Sequence, residues 1–154
     1  VRTSLAAAVV AGLAGSLAMD LAQDGFDLLF ERGRAADDRD EETEAIVSVV
    51  RRIAPFVPGR LAERHPGTVG RSLHYLFGSA FALAYAFARE RRAEIAAARG
   101  CAFGAGLWFL SDVVLIPSAH LGRPLFRYSR AERANALVSH LVYGTVVEAM
   151  LCAA

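Results

Sequence analysis

The sequence contains no lysine, and all 17 of its basic residues are arginine. They stand against 16 acidic residues and leave a net charge of +1. No basic field of the kind that gathers nucleic acid is present, so no nucleic-acid partner is expected. Cysteine is nearly absent too: Cys101 and Cys152 are the two present, and they match no zinc or redox spacing. Gly-x-Ser-x-Gly, His-Glu-x-x-His, P-loop and Cys-x-x-Cys motifs are all missing. No catalytic residue is assigned, and the chain reads as a non-enzymatic protein. Proline is scarce, with 5 residues, which leaves long stretches free to be helical.

Apolar residues are what the chain has in excess. They make up 55% of its 154 residues, with a mean hydropathy of +0.34. A soluble domain of this size holds about 45–50% even with glycine counted. Most charges crowd into 31–71, 89–99 and 123–133. The apolar runs between them predict an all-α membrane protein, because only internally hydrogen-bonded helices or closed barrels are tolerated in lipid. Four spans are expected, at about 5–30, 69–88, 98–119 and 134–153, each long enough at about 1.5 Å per residue. The rival reading of the first run is a secretory signal peptide, since Arg2 precedes an Ala-rich stretch and Ser16-Leu17-Ala18 resembles a cleavage site. The apolar pattern continues past that point through Leu21, Phe26 and Leu28.

Residues 31–67 read as a polar connection. Within it Ala45, Ile46, Val47, Val49, Val50 and Ile53 predict a short amphipathic helix on the bilayer surface or capping the bundle. Pro117 is expected to kink or end the third span. The two cysteines are expected as separate buried thiols. With four spans, the side holding the first and third loops carries 12 arginines and the other side 5, which places the first group in the cytoplasm.

The chain also looks duplicated. Gly12 is followed eight residues later by Asp20, and Gly104 eight later by Asp112. Span two holds His74-Tyr75-Leu76-Phe77-Gly78-Ser79, and span four His140-Leu141-Val142-Tyr143-Gly144-Thr145. Both read His, two residues, aromatic, Gly, small hydroxyl. Spans one and two would then repeat as three and four, giving two helical hairpins about an axis along the membrane normal.

Helical spacing stacks residues four apart on one face. Ala8, Gly12, Ser16, Asp20 and Asp24 form one stripe, and His74, Gly78, Ala82 and Ala86 a second. Gly100, Gly104, Trp108 and Asp112 form a third, and His140, Gly144 and Glu148 a fourth. Small residues at this spacing let membrane helices approach closely, so the polar ones should point inward. By helix rise Asp20 and Asp112 lie about 12–15 Å below one surface and the two histidines about 8–10 Å, with Glu148 deeper. One polar cluster is therefore expected from Asp20, His74, Asp112, His140 and Glu148, with Tyr85 and Tyr143 nearby.

Three readings of the cluster follow, beside the plain one of hydrogen bonds that fix packing. Asp–His pairs inside a membrane can couple to protons or a small ion. Asp20, His74, Asp112 and His140 could hold a metal ion in a tetrahedral N/O site. No other cofactor is expected; two neighbouring aspartates argue against bis-His haem. Finally, the small-residue faces could serve a structural or assembly subunit, as a homo-oligomer or with another membrane protein, beside the lipid bilayer itself.

His74-Tyr75-Leu76-Phe77-Gly78, Gly104-Ala105-Gly106-Leu107-Trp108, Pro117, and Arg133-Ala134-Asn135-Ala136-Leu137 leading to His140-Leu141-Val142-Tyr143-Gly144 together resemble the YagU-like group of bacterial inner-membrane proteins. The resemblance covers the last three spans. It implies a small multi-span inner-membrane protein with no established biochemical activity, and an association with acid tolerance. Where some relatives carry His in the third span, this chain has Asp112.

Overall fold

The computed structural model describes residues 3–29, 58–96, 98–118 and 128–154. These are almost entirely helical, and no strand occurs among them. The expected amphipathic helix at 45–53 and most of the third loop lie outside the described residues.

Helix α1 is Leu5–Leu29. Its start is fixed by the Ser4 hydroxyl, which accepts the Ala7 N–H at 3.0 Å, the bond expected of a helix cap. A short α2, Gly59–Arg64, leads through exposed His65 into α3, Pro66–Arg91. Pro66 stands in the first turn of α3, where its missing N–H costs nothing. A 3₁₀ turn at Ala93–Ala96 follows. Arg99 and Gly100 then take positive φ angles, 49° and 81°, and turn the chain back into α4, Cys101–Ser118. The last helix, α5, is Arg130–Ala153 and opens with a capping box between Ser129 and Glu132. The Ser129–x–x–Glu132 signal is plain in the sequence, and it starts the helix four residues before the apolar run at 134.

Within α4 the chain is α-helical over Cys101–Trp108, π-helical over Phe109–Leu115 and α-helical again over Ile116–Ser118. The Ile116 N–H reaches back five residues to the Ser111 carbonyl. Pro117 has no N–H to hold the turn before it in α register, and the wider turn relieves that loss. The proline expected to kink or end the helix thus follows a local widening.

Helix α1 packs against both α3 and α5, while α4 packs against α5. The sorting of side chains is by size. On α1 the buried residues are Ala8, Ala11, Gly12, Gly15, Ser16 and Met19, and the exposed ones include Leu5, Val9, Val10, Leu13, Leu17 and Leu21. Small inside and large apolar outside reverses the habit of a soluble core and suits helices whose outer faces meet hydrocarbon. Helices α1, α4 and α5 are each long and apolar enough to cross a membrane. Helix α3, which contains the expected second span, is 26 residues long. Its His74, Tyr75, Tyr85 and serines make it less apolar than the other three.

Backbones meet closely at the seams. A Cβ at Gly12 would lie 2.5 Å from Ser79 Cα on α3. A Cβ at Gly104 would strike the His140 carbonyl oxygen on α5. Gly106, two residues on, faces open space. Gly104→Ala is therefore expected to destabilise by about 1–3 kcal/mol, the usual cost of overpacking. Gly106→Ala should be neutral or slightly stabilising, since it relieves glycine's entropy in a helix. Thermal unfolding of the two variants in one mild detergent checks this; equal losses would place the α4–α5 seam elsewhere.

Candidate functional site

The five expected site residues do not form one cluster. They fall into three groups, which the helices position separately.

The first group joins α1 to α3. His74 Nε2 lies 3.3 Å from Asp20 Oδ1, close enough for an ion pair although no hydrogen bond forms there. The Tyr75 hydroxyl donates to the other carboxylate oxygen, Oδ2, at 3.1 Å. The His74 and Tyr75 rings stand edge-on, 5.6 Å apart. Both side chains of the pair are about a third exposed or less. Beside them a cavity of about 580 Å³ is lined by Gly67, Thr68, Arg71, Ser72 and Tyr75. Asp24, placed on the same stripe by spacing, is exposed.

The second group joins α4 to α5. Asp112 Oδ2 lies 3.8 Å from His140 Nδ1, beyond hydrogen-bond reach. That nitrogen instead lies 2.8 Å from the Ala136 carbonyl of its own helix. A carbonyl only accepts, so Nδ1 carries the proton in the neutral ring and Nε2 is left basic. Nε2 lies 3.4 Å from Ser111 Oγ, and the same Oγ lies 3.1 Å from Asp112 Oδ1. Ser139 is fully buried beside His140 and donates to Asn135 Oδ1 at 3.1 Å.

The third group holds Glu148, which is buried and belongs with neither histidine. Its Oε2 accepts the Tyr85 hydroxyl at 2.9 Å and lies 3.3 Å from Arg89 Nη1. Its Oε1 accepts the Cys152 thiol at 3.2 Å. The Tyr85 ring stacks on Phe103, with centroids 4.2 Å apart. Tyr143, five residues before Glu148, donates to the Gly78 carbonyl at 2.5 Å. Tyr85, Arg89 and Tyr143 therefore tie α3 to α5, across the two expected hairpins.

Two corrections follow. Glu148 is the anion of an Arg–Tyr network rather than a member of the Asp/His set, because Arg89 belongs to the last turn of α3 and reaches inward. The four Asp and His side chains do not converge on one point either. Among the described residues no three His, Cys, Asp or Glu side chains come together as a metal-holding group. His74 on α3 faces Asp20 of α1, and His140 on α5 faces Asp112 of α4. Cys101 and Cys152 are free, as expected, but exposed rather than buried. Ser111 and Arg89 escaped the sequence reading. Serine is common in such helices and gives no signal of its own, while Arg89 sits at the edge of a charged loop and reads as a flank.

A family model described as "protein of unknown function (DUF1440)" matches residues 61–149, from α2 almost to the end of α5. No curated protein and no solved structure matches the chain.

Removing the Glu148 charge would strand Arg89, whose side chain is 19% exposed. Glu148→Gln is expected to cost about 3 kcal/mol, the low end for breaking a buried pair. Tyr85→Phe, which removes one hydrogen bond to a charged group, should cost about 1.5–3 kcal/mol. The double variant should fall short of the sum, because both changes act on one network. Thermal or denaturant unfolding in detergent measures all three, and additive losses would show that the two side chains act independently.

Proposed function

We propose, for a chain that belongs to the DUF1440 family, a non-enzymatic multi-pass protein of the bacterial inner membrane whose two Asp–His pairs bind and release protons. All four long helices cross the bilayer in this reading, α3 included, as two hairpins, α1–α3 and α4–α5. The reading rests on one observation above all: each hairpin carries its own Asp–His contact. The second seam is nevertheless set about one turn out of register with the first, Gly12 meeting Ser79 and Gly104 meeting His140. Asp20 meets His74 as Asp112 meets His140, and each aspartate follows by eight residues a glycine (Gly12, Gly104) that packs against the partner helix. Duplication of one hairpin accounts for both the sequence match and the matched contacts.

Ionisable groups inside a membrane cost several kcal/mol unless they are paired, and such residues are generally retained for function. Histidine changes charge between about pH 5 and 8, and a carboxylate within 4 Å makes the change one of pairing as well as of charge. Two separate pairs suit protons better than a divalent metal, which needs three or four ligands on one centre. The YagU-like resemblance and its link to acid tolerance agree with this reading. A small monovalent ion at the same pairs is the variant reading.

One observation favours a second reading, that of an assembly subunit. Helix α4 is scarcely buried by the rest of the chain, and Phe109, Leu110, Val114 and Leu115 line its open side. The close-packed glycines on α1, α4 and α5 are nevertheless used inside the molecule, which leaves lipid as the simpler neighbour for that side.

The test is potentiometric proton uptake by protein in lipid nanodiscs, titrated from about pH 8 to pH 5. Wild type should take up about two protons beyond the His74→Ala/His140→Ala variant, one per pair. Each single variant should lose about one. Identical uptake by wild type and the double variant would overturn the reading.

A further inference from the structure

The sequence expectation treats Asp112 and His140 as direct partners, but the geometry of the second pair does not. The Nδ1 proton of His140 is committed to the Ala136 carbonyl at 2.8 Å, and Asp112 stands 3.8 Å from that nitrogen. A proton arriving at the ring must land on Nε2. What faces Nε2 is Ser111 Oγ at 3.4 Å, and Ser111 is 3.1 Å from Asp112 Oδ1. We infer that Ser111 is a relay residue through which His140 and Asp112 exchange a proton.

The step balances within three side chains. Protonated His140 gives its Nε2 proton to Ser111 Oγ while the Ser111 hydroxyl proton passes to Asp112 Oδ1. The serine stays a neutral hydroxyl, the imidazole returns to its Nδ1–H form, and the carboxylate becomes a carboxylic acid. The reverse step recharges the histidine. A hydroxyl suits this place because it donates and accepts at once. In water the carboxylate and the ring would exchange through solvent. Here Asp112 and His140 are only 20% and 10% exposed, so a fixed hydroxyl replaces the water.

Ser111 and Asp112 are adjacent in the π-helical turn over Phe109–Leu115, and both lie against His140 of α5. The turn is wider than that of an α-helix, so successive residues diverge by somewhat less than about 100°, and π turns inside α-helices are frequent at working sites. The surroundings keep the exchange local. Among the described residues, Asp112 is the titratable group facing His140 from α4. Helix α1 meets α5 through Gly15 against Tyr143 and Val147, and its Asp20 is engaged by His74 and Tyr75. Glu148, two turns further along α5, is held by Tyr85 and Arg89.

This relay rests on the proton-binding reading and can fail apart from it. After a rapid drop from pH 8 to pH 5, time-resolved infrared spectroscopy of the protein in nanodiscs follows the carboxylic acid band, assigned to Asp112 by its loss in Asp112→Asn. Wild type and Ser111→Thr, which keeps the hydroxyl, should form that band at similar rates. Ser111→Ala should form it at least about tenfold more slowly, one lost hydrogen-bonded step's worth of rate. Ser111→Cys, nearly isosteric but a weak hydrogen bonder, carries the same comparison should the alanine variant not fold. Absence of any pH response at His140 and Asp112 in wild type would sink the proton-binding reading itself. A normal response in wild type with unchanged rates in the alanine and cysteine variants would overturn the relay alone.

Discussion

The molecule depends on how closely its helix backbones approach. At Gly12 against Ser79, and at Gly104 against His140, one helix lies on another with no side chain between. Within hydrocarbon no hydrophobic force pulls helices together, so contact of this kind and the polar bonds it permits must hold the bundle. The close approach also fixes where the polar groups meet. Asp20 lies two turns from Gly12 on α1, and His74 one turn from Gly78 on α3, so a seam that closes at the glycines brings the carboxylate and the ring within 3.3 Å. On α4 and α5 the seam closes with Gly104 on the backbone of His140 itself, and Asp112 and His140 come within 3.8 Å. Larger residues at the seam would part the helices and leave each charge alone in lipid, which is costly.

Much of this was legible in the sequence, because lipid imposes strong rules on it. The apolar runs gave all four long helices. The four-residue spacing of small residues gave Ala8, Gly12 and Ser16 of the inward face of α1 and Gly78, Ala82 and Ala86 of that of α3, but missed Ala11, Gly15, Met19, Leu73 and Tyr85. The pairing of Asp20 with His74 and of Asp112 with His140 follows from the same spacing once neighbours are antiparallel. Spacing along a helix could not tell one cluster from two pairs, since that depends on which helices are adjacent. Here α1 and α5 take the middle, and α4 packs on α5 and reaches α3 where Phe103 stacks on Tyr85. Helix ends were also lost to apolar periodicity. Pro66 and the Ser129–Glu132 capping box begin α3 and α5 outside the apolar runs, and α3 runs on to Arg91, so Arg89 reads as loop when it is helix.

That extension changes the meaning of Glu148. A carboxylate deep in an apolar helix reads as part of any polar cluster at hand, yet its charge is met by Arg89, Tyr85 and Cys152 at the other end of the bundle. Arginine suits such a place because its long apolar stem lies along the helix while the guanidinium stays fully charged. Together with the Tyr143 hydroxyl on the Gly78 carbonyl, this network ties α3 to α5, whereas the Asp–His contacts join α1 to α3 and α4 to α5. The α3–α5 bonds leave both Asp–His contacts out, so on the proposed reading the pairs change charge without parting the helices. This division of labour lets titratable groups sit in a membrane bundle without making its assembly depend on their protonation.

The two pairs are also unequal, and the inequality traces to one proline. Asp20 sits in a regular α-helix and meets His74 directly, with Tyr75 on its second oxygen. Asp112 sits in the π-helical turn that precedes Pro117, and its carboxylate reaches His140 through Ser111. If the hairpins arose from one ancestor, the widened turn is where the second departed from the first. The direct pair is the more exposed of the two, and its aspartate takes a tyrosine hydroxyl as well. The indirect pair has its histidine nearly buried and its tautomer set by a backbone carbonyl. The two contacts are thus chemically different. The feature that separates them, one missing N–H at position 117, acts on the helix backbone and only through it on the charges.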